Sequence, residues 1–395
     1  MLVAPTYMRV LFLTSFYPST DDPAKGVFIR KHAKAAAMNH QVTVINPVGT
    51  NTVKGISKAV ILGRSPLEEI TLYYNTHFIN LPVLKNIFAF FGFFWGIIKQ
   101  IGILEKTSGK FDIIHLHVSL PSGIIALYLH YVKRRNYILT EHGSNLLVNN
   151  FNKLSFFNRF LIRLIIRKSS VATAVSQYQA REMVAAKLKD KVYILSNIVE
   201  AHEQIRTHLQ PHQPIQLIHV SNLAAVKQVD GILEALKSLN KTSQTAILHI
   251  VGGSPEAIAH YQSLAKKIGI AGDVVFHGWK PGSDVLSMMK TMDIFILNSK
   301  HETFCVVAAE AISCGIPVVS PDIPALRELV DEHSGLLFKY HSAIADTILE
   351  TCRRYSHYNP ETMKQSMTQR FSEEQLASDI QKLYASPQGL KVITG

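Results

Sequence analysis

Met292-Asp-Ile-Phe-Ile-Leu297 is an apolar run of strand length, Asn298 to Glu302 is polar, and an alanine-rich segment of helical length follows as far as Gly315 and Pro317. A strand, a loop and a helix in that order restrict this stretch to an α/β unit. Thr303 stands where an N-cap is expected, Gly315 suits the left-handed residue just past a helix end, and Pro317 cannot continue the helix. Glu302 then falls in the loop at the carboxyl end of a strand, and Glu310 about two turns into the following helix. In doubly wound sheets ligands bind at this edge, and a helix amino terminus favours an anion such as a diphosphate. A nucleotide sugar fits that description.

At 395 residues the chain exceeds what one core usually supports, so two domains are expected. Apolar content of 47% with 18% charged residues excludes a disordered chain. Cys305, Cys314 and Cys352 are odd in number and form no C-x2-C pair, which argues against a disulfide framework and a structural zinc site and points to a reducing cytoplasm. Met1 to Tyr7 is a short lead without the apolar core of a secretion signal. Charge is uneven: residues 1–198 hold 24 Lys+Arg against 9 Asp+Glu, a net +15, whereas residues 199–395 hold 17 against 20, a net −3. The basic half calls for an anionic partner. No arginine-rich, aromatic-interleaved stretch of the single-strand-binding kind is present, so nucleic acid is not expected.

Strand-length runs recur along the chain. Met8 to Phe16, Gln41 to Ile45, Phe111 to His117, Asn136 to His142, Ser170 to Val175 and Val192 to Ser196 are expected strands of a first domain, with a helix over Val27 to Met38 after the turn-rich loop Tyr17 to Gly26. His115 and His117 share a strand face, but no third ligand is evident and no metal is expected. Residues 199–214, rich in His and Pro, read as a linker. Ile215 to Ser221, Ala246 to Val251, Asp273 to Gly278 and Gly335 to Phe338 continue the pattern, and Ser372 to Tyr384 is a last helix.

Glu302 and Glu310, with Met292-Asp-Ile-Phe before them and Cys314-Gly-Ile-Pro-Val-Val after, resemble the E-x7-E signature of retaining GT-B glycosyltransferases of glycosyltransferase family 4. The segments Phe111 to His117, Asn197 to Glu200 and Asn222 to Lys227 resemble further parts of that pattern. Asn298 replaces a usual proline, and Thr303 and Cys305 replace usual glycines, so this loop is not expected to rely on glycine-only dihedral angles. Asn222 replaces an arginine, removing one fixed cation. The resemblance implies a GT-B architecture of two facing Rossmann-like doubly wound domains with an interdomain cleft. Residues 1–198 would form the acceptor side, 199–370 the nucleotide-sugar side, and 371–395 a helix returning to the first domain.

The same resemblance assigns roles. Glu302 and His142 would be catalytic, and Gly26, Asn222, Lys227, Gly253, Thr303, Phe304, Cys305, Val306 and Glu310 would bind the donor, with Lys227 on the diphosphate and Glu310 on the ribose. The reaction implied is transfer from a nucleoside diphosphate sugar to a hydroxyl of a glycan or lipid-linked acceptor, with no cofactor and, since no D-x-D occurs, no metal. A GT-B-like epimerase or phosphorylase, or a polyanion-binding protein, are the alternatives. Two stretches of the basic half suggest peripheral contact with an anionic membrane. Asn86 to Ile98 carries six aromatic residues in a run shorter than a membrane span, and Arg159, Arg163 and Arg167 recur every four residues beside Phe160.

Overall fold

The computed structural model describes residues 7–53, 57–76, 82–200, 203–242 and 244–395. The lead before Tyr7 and linker residues 201 and 202 lie outside them. The chain forms two compact units, Met1–Ile198 with Glu373–Gly395, and Val199–Ser372.

The first unit runs β1 (Arg9–Thr14), α1 (Val27–Ala37), β2 (Gln41–Thr50), β3 (Ser57–Arg64), β4 (Leu67–Asn75), α2 (Pro82–Ser108), β5 (Ile113–His117), α3 (Gly123–Tyr131), β6 (Ile138–Glu141), α4 (Val148–Phe151), α5 (Phe156–Lys168), β7 (Val171–Ala174), α6 (Gln177–Ala185) and β8 (Lys191–Ile194). The second continues with β9 (Ile215–Val220), α7 (Val229–Leu239), β10 (Ala246–Val251), α8 (Pro255–Ile268), β11 (Val274–Gly278), α9 (Gly282–Met289), β12 (Ile294–Ile296), α10 (Val306–Ser313), β13 (Val318–Pro321), β14 (Gly335–Phe338), α11 (Ile344–Arg353) and α12 (Pro360–Phe371). α13 (Glu373–Ala385) and β15 (Val392–Thr394) belong again to the first unit.

The strand order of the first sheet is β15-β8-β7-β6-β5-β1-β2-β4-β3, with only the edge pairs β15–β8 and β3–β4 antiparallel. Helices cover both faces, so its central strands are apolar on both sides rather than alternating. Leu11 and Leu13 of β1 join a core with Phe93, Ile97, Ile125 and Ile165 from α2, α3 and α5. Val10 and Phe12 face the other way onto Ile29 and Ala33 of α1 and Ile380 and Leu383 of α13. The second sheet is wholly parallel, in the order β11-β10-β9-β12-β13-β14.

In each sheet the chain winds one way and then the other. The reversal lies between β1 and β5 in the first and between β9 and β12 in the second. Loops leaving such a neighbouring pair diverge and leave a crevice at the carboxyl ends.

Two expectations need correction. The segment read as a linker is bound into the second unit from Arg206 onward. Arg206 is buried, and its guanidinium donates to the carbonyls of Gly315, His208 and Tyr358, because a buried cation must satisfy every N–H. The aromatic run from Asn86 belongs to a helix reaching Ser108, and Asn86–Ser108 is by length and composition sufficient to cross a membrane. Phe93, Ile97, Ile101 and Leu104 nevertheless lie in the sheet's core, so α2 packs along the sheet. Two of the spaced arginines have partners within the first unit. The Arg163 guanidinium lies 5.1 Å from the Phe151 ring centroid, and Arg167 donates to the Lys187 carbonyl at 3.1 Å.

Candidate active site

The crevice of the second sheet is closed by cross-links between the loop after β9 and the loop after β12. The Lys300 amide donates to the Val226 carbonyl at 2.9 Å, and the buried Asn298 side chain donates to the Gln228 carbonyl at 2.9 Å. Beside them Lys227 Nζ donates to Glu302 Oε1 at 2.6 Å, with side-chain exposures of 17% and 12%. Burial works against the Lys227 charge. The attraction of Glu302 and its hydrogen bond outweigh that cost and raise the lysine above its ordinary value, so Lys227 is an ammonium at neutral pH.

α10 begins at Val306, two residues later than an N-cap at Thr303 would place it. The capping position is Cys305, with φ 70° and ψ 68° and no side-chain cap. A cysteine therefore holds the left-handed conformation that the sequence argument reserved for glycine, at a cost of about 1 to 2 kcal/mol. Packing supplies the compensation: Cys305 is buried, and the neighbouring Phe304 ring stands edge-on to Phe371 at 5.0 Å. The later start puts Glu310 at the fifth helical residue, little more than one turn in. The first helical bonds run from the Ala308 and Ala309 amides to the Cys305 carbonyl, so the Val306 and Val307 amides precede the ladder. Burial and then the Glu302 and Glu310 charges push the Cys305 thiol up, so it stays protonated. A cation, a helix amino terminus and two carboxylates thus share one small region, suited to a diphosphate joined to a hydroxyl-rich group.

The other donor-side residues are less engaged. The Asn222 side chain is exposed and accepts from the Ala224 amide at 3.2 Å, forming its own turn. Gly253 lies in the turn after β10, where an added Cβ would meet Leu223 at 2.4 Å.

Gly26 and His142 belong to the first unit. Gly26 precedes α1 at φ 64°, and a Cβ there would lie 2.4 Å from the Phe16 carbonyl group, so the close approach of two backbones requires glycine. His142 follows β6 directly and lines a cavity of about 280 Å³ with Phe16, Phe28, Ser119, Glu141, Leu154 and Ile162 among its walls. Burial first, then the neighbouring His32 and His115, pull His142 well below the usual histidine range, so it is neutral. Glu141 accepts from the amides of Ser119, His142 and Gly143, yet burial still raises its proton affinity.

Glu141 was not singled out from sequence. A lone carboxylate ending the apolar run Tyr137 to Thr140 was the available signal.

His115 and His117 do share a face, with ring centroids 4.2 Å apart, but they do not form the ligand group. His115 is bonded to Tyr384 and Thr140. His117 instead joins His142, at 3.1 Å between ring nitrogens, and His32. Among the described residues this buried trio and His208, His212 and Asp293 have ligand atoms close enough to hold a metal ion. Asp293 is fully buried. Burial pushes its carboxyl up, but hydrogen bonds from His208, Gln216 and His212 outweigh that and hold it below the usual range.

Residues 26–203 match the family described as Glycosyltransferase Family 4, and residues 200–365 match Glycosyl transferases group 1. The chain is 27% identical over 291 residues to N-acetyl-alpha-D-glucosaminyl L-malate synthase of Bacillus anthracis, covering 69% of this chain and 74% of that one. It is 24% identical over 376 residues to the putative teichuronic acid biosynthesis glycosyltransferase TuaC of Bacillus subtilis, covering 89% and 90%. The fold is shared with Alr3699/HepE of Anabaena, solved in complex with UDP, at a TM-score of 0.67 and 17% identity over 96% of this chain and 100% of that one.

Proposed function

The chain belongs to the GT-B glycosyltransferases, and from that premise we propose that it moves a sugar from a nucleoside diphosphate sugar to a hydroxyl of a glycan or lipid-linked acceptor, with retention at the anomeric carbon. The observation that carries this reading is the Lys227–Glu302 pair at the start of α10, with Glu310 one turn further on. As the bond between the anomeric carbon and the diphosphate breaks, its electron pair goes to the departing phosphate oxygen. Lys227 and the amides of Val306 and Val307 meet that charge. No divalent cation is needed in this scheme. Glu310 takes the ribose hydroxyls and Glu302 a hydroxyl of the sugar, while Gly26, Asn222 and Gly253 shape the surrounding loops. Thr303, Phe304 and Cys305 contribute backbone. The acceptor oxygen forms its bond to the anomeric carbon on the face the diphosphate leaves, and its proton passes to the leaving phosphate oxygen. His142, neutral and beside Glu141, orients the substrate in the first unit's cavity.

The relative named for teichuronic acid biosynthesis supports an envelope polysaccharide as the product class. The UDP complex of HepE makes UDP sugars the first donors to test. The free cysteines Cys305, Cys314 and Cys352 fit work in the cytoplasm. Nucleotide release from UDP- and GDP-sugars should be followed in EDTA, with the anomeric coupling of any product read by proton NMR. Acceptor-dependent release and an unchanged anomeric configuration are expected. Inversion, or activity only with added magnesium or manganese, contradicts the reading. Turnover without any acceptor would instead identify an epimerase or phosphorylase of the same fold.

A further inference from the structure

We propose that His208, His212 and Asp293 form a zinc site in the second unit, which pins the segment leading into β9 to the start of β12. The cysteines form no zinc-binding pair, but His208 and His212 stand in the H-x3-H spacing that zinc-binding histidines use. The fold adds a carboxylate to that pair. His208 Nε2 lies 3.0 Å and His212 Nδ1 2.8 Å from the same oxygen, Oδ1 of Asp293. Ligand atoms around a four-coordinate zinc are about 3.3 Å apart, each about 2.0 to 2.1 Å from the ion. Opening the two separations by roughly 0.3 to 0.5 Å therefore admits the ion.

Hydrogen bonding alone leaves this cluster short of both a proton and a charge. His208 Nε2 faces Tyr355 Oη at 2.9 Å as well as Asp293, yet a ring nitrogen carries at most one hydrogen, so in either tautomer one of the two contacts lacks a proton. Asp293 is fully buried, and among the described residues it pairs with no lysine or arginine. Arg206, stacked on the Tyr355 ring at 4.3 Å, spends its guanidinium on three carbonyls instead. A divalent ion supplies the charge a buried carboxylate needs and takes the lone pairs of both ring nitrogens and of Oδ1 together.

The ligands are already held in place. Asp293 Oδ2 accepts from the Gln216 amide at 2.6 Å and the His212 amide at 3.1 Å, and the His208 ring stacks on buried Tyr355 with 5.9 Å between centroids. Outer contacts of this kind orient a ligand before the metal arrives. The His212 side chain is 46% exposed, which gives the ion an entry path and leaves the fourth position to water. Asp293 immediately precedes β12, whereas Glu302 lies in the loop beyond its other end. The metal thus joins the segment before β9, the start of β12 and the turn after α11, and takes no part in the transfer chemistry. Nucleotide effects measured in EDTA are read from the metal-free baseline and stand or fall independently of it.

The full chain, stripped with EDTA and moved to chelator-free buffer without nucleotide, should be titrated with zinc by calorimetry and by thermal unfolding. One zinc per chain is expected to bind with a dissociation constant in the micromolar range or below. At 100 times that constant it should raise the unfolding temperature by roughly 5 to 10 °C. His212→Gln keeps a donor for Asp293 at a half-exposed position and should weaken zinc binding by about 100-fold or more, since losing even an outer partner costs about 10- to 100-fold. The zinc-dependent rise is read within each protein, so a lower metal-free starting temperature in the variant does not obscure it. Cobalt(II) in place of zinc should give the visible absorption of a four-coordinate ion in the native chain and not in His208→Gln. Saturation only at millimolar zinc, binding that both glutamine variants retain unchanged, or binding with no rise in unfolding temperature overturns the proposal.

Discussion

Glu302→Gln should tighten the binding of a free nucleoside diphosphate while slowing sugar transfer. Lys227 spends its charge on Glu302, 2.6 Å away and largely shielded from water, and it must share or surrender that contact when a diphosphate arrives. An ion pair near a surface contributes up to about 1 kcal/mol net. Releasing the lysine is therefore expected to raise diphosphate affinity by about five-fold. Glutamine keeps the shape, so the loops held by Asn298 and Lys300 are retained. Lys227→Met works in the opposite direction: losing a hydrogen bond to a charged group costs about 1.5 to 3 kcal/mol, or roughly 10- to 150-fold in affinity. Titration calorimetry of both variants with UDP, GDP and ADP separates the two effects. If Glu302→Gln weakens nucleotide binding as much as Lys227→Met does, the carboxylate does not compete for the lysine and the reasoning fails.

At Cys305 the left-handed conformation should reverse the usual helix order, so that Cys305→Gly is more stable to urea than Cys305→Ala by about 1 kcal/mol. Gly26→Ala should destabilise the first unit by about 2 kcal/mol or more, read as a lowered urea midpoint, since both the positive φ and the Phe16 backbone oppose a side chain. Acid should unfold the protein before its carboxylates are protonated. His32 is held down to about 4 by burial, so its contribution is fully present above the unfolded value near 6.5 and is lost as pH falls toward 4. That one group is worth about 3 kcal/mol. His219 in the second unit, also lowered to about 4 by burial, adds in the same window. Urea midpoints that do not move between about pH 7 and pH 5 would contradict this.

The parallel sheets were legible because their strands are apolar on both faces and punctuated by Gly, Pro and Asn, so β1, β9, β10 and β14 fall within a residue or two of the runs read from sequence, whereas β2 starts where it was read but runs on to Thr50. The start of α10 was not. Cap rules favour Thr303, whereas burial of Phe304 and Cys305 pays for a left-handed cysteine two residues later. The pairing of Lys227 with Glu302 joins residues 75 positions apart, and no periodicity carries that separation. His32 was equally invisible. It sits on α1, and only the parallel pairing of β1 with β5 and of β5 with β6 brings His117 and His142 to it. The histidines and prolines of residues 203–214 look like a loop, and the anchoring of this segment depends on Arg206 and Asp293, neither of which signals its partners locally. The hairpin of β3 and β4 also went unread from the sequence, although it is regular in the fold.

The central claim is that the Lys227–Glu302–Glu310 region takes a nucleoside diphosphate without a metal. Thermal unfolding in EDTA with UDP, GDP, ADP and CMP, run on the native chain and on Glu310→Ala, tests it most directly. A ligand at 100 times its dissociation constant adds about 2.7 kcal/mol, which raises the unfolding temperature of a domain of this size by roughly 5 to 10 °C. One diphosphate is predicted to give that shift with the native chain, and Glu310→Ala is predicted to need 10- to 150-fold more of it, roughly the cost of one charged hydrogen bond. No shift with any nucleotide, a shift only after magnesium or manganese is added, or identical shifts in both proteins would contradict the account.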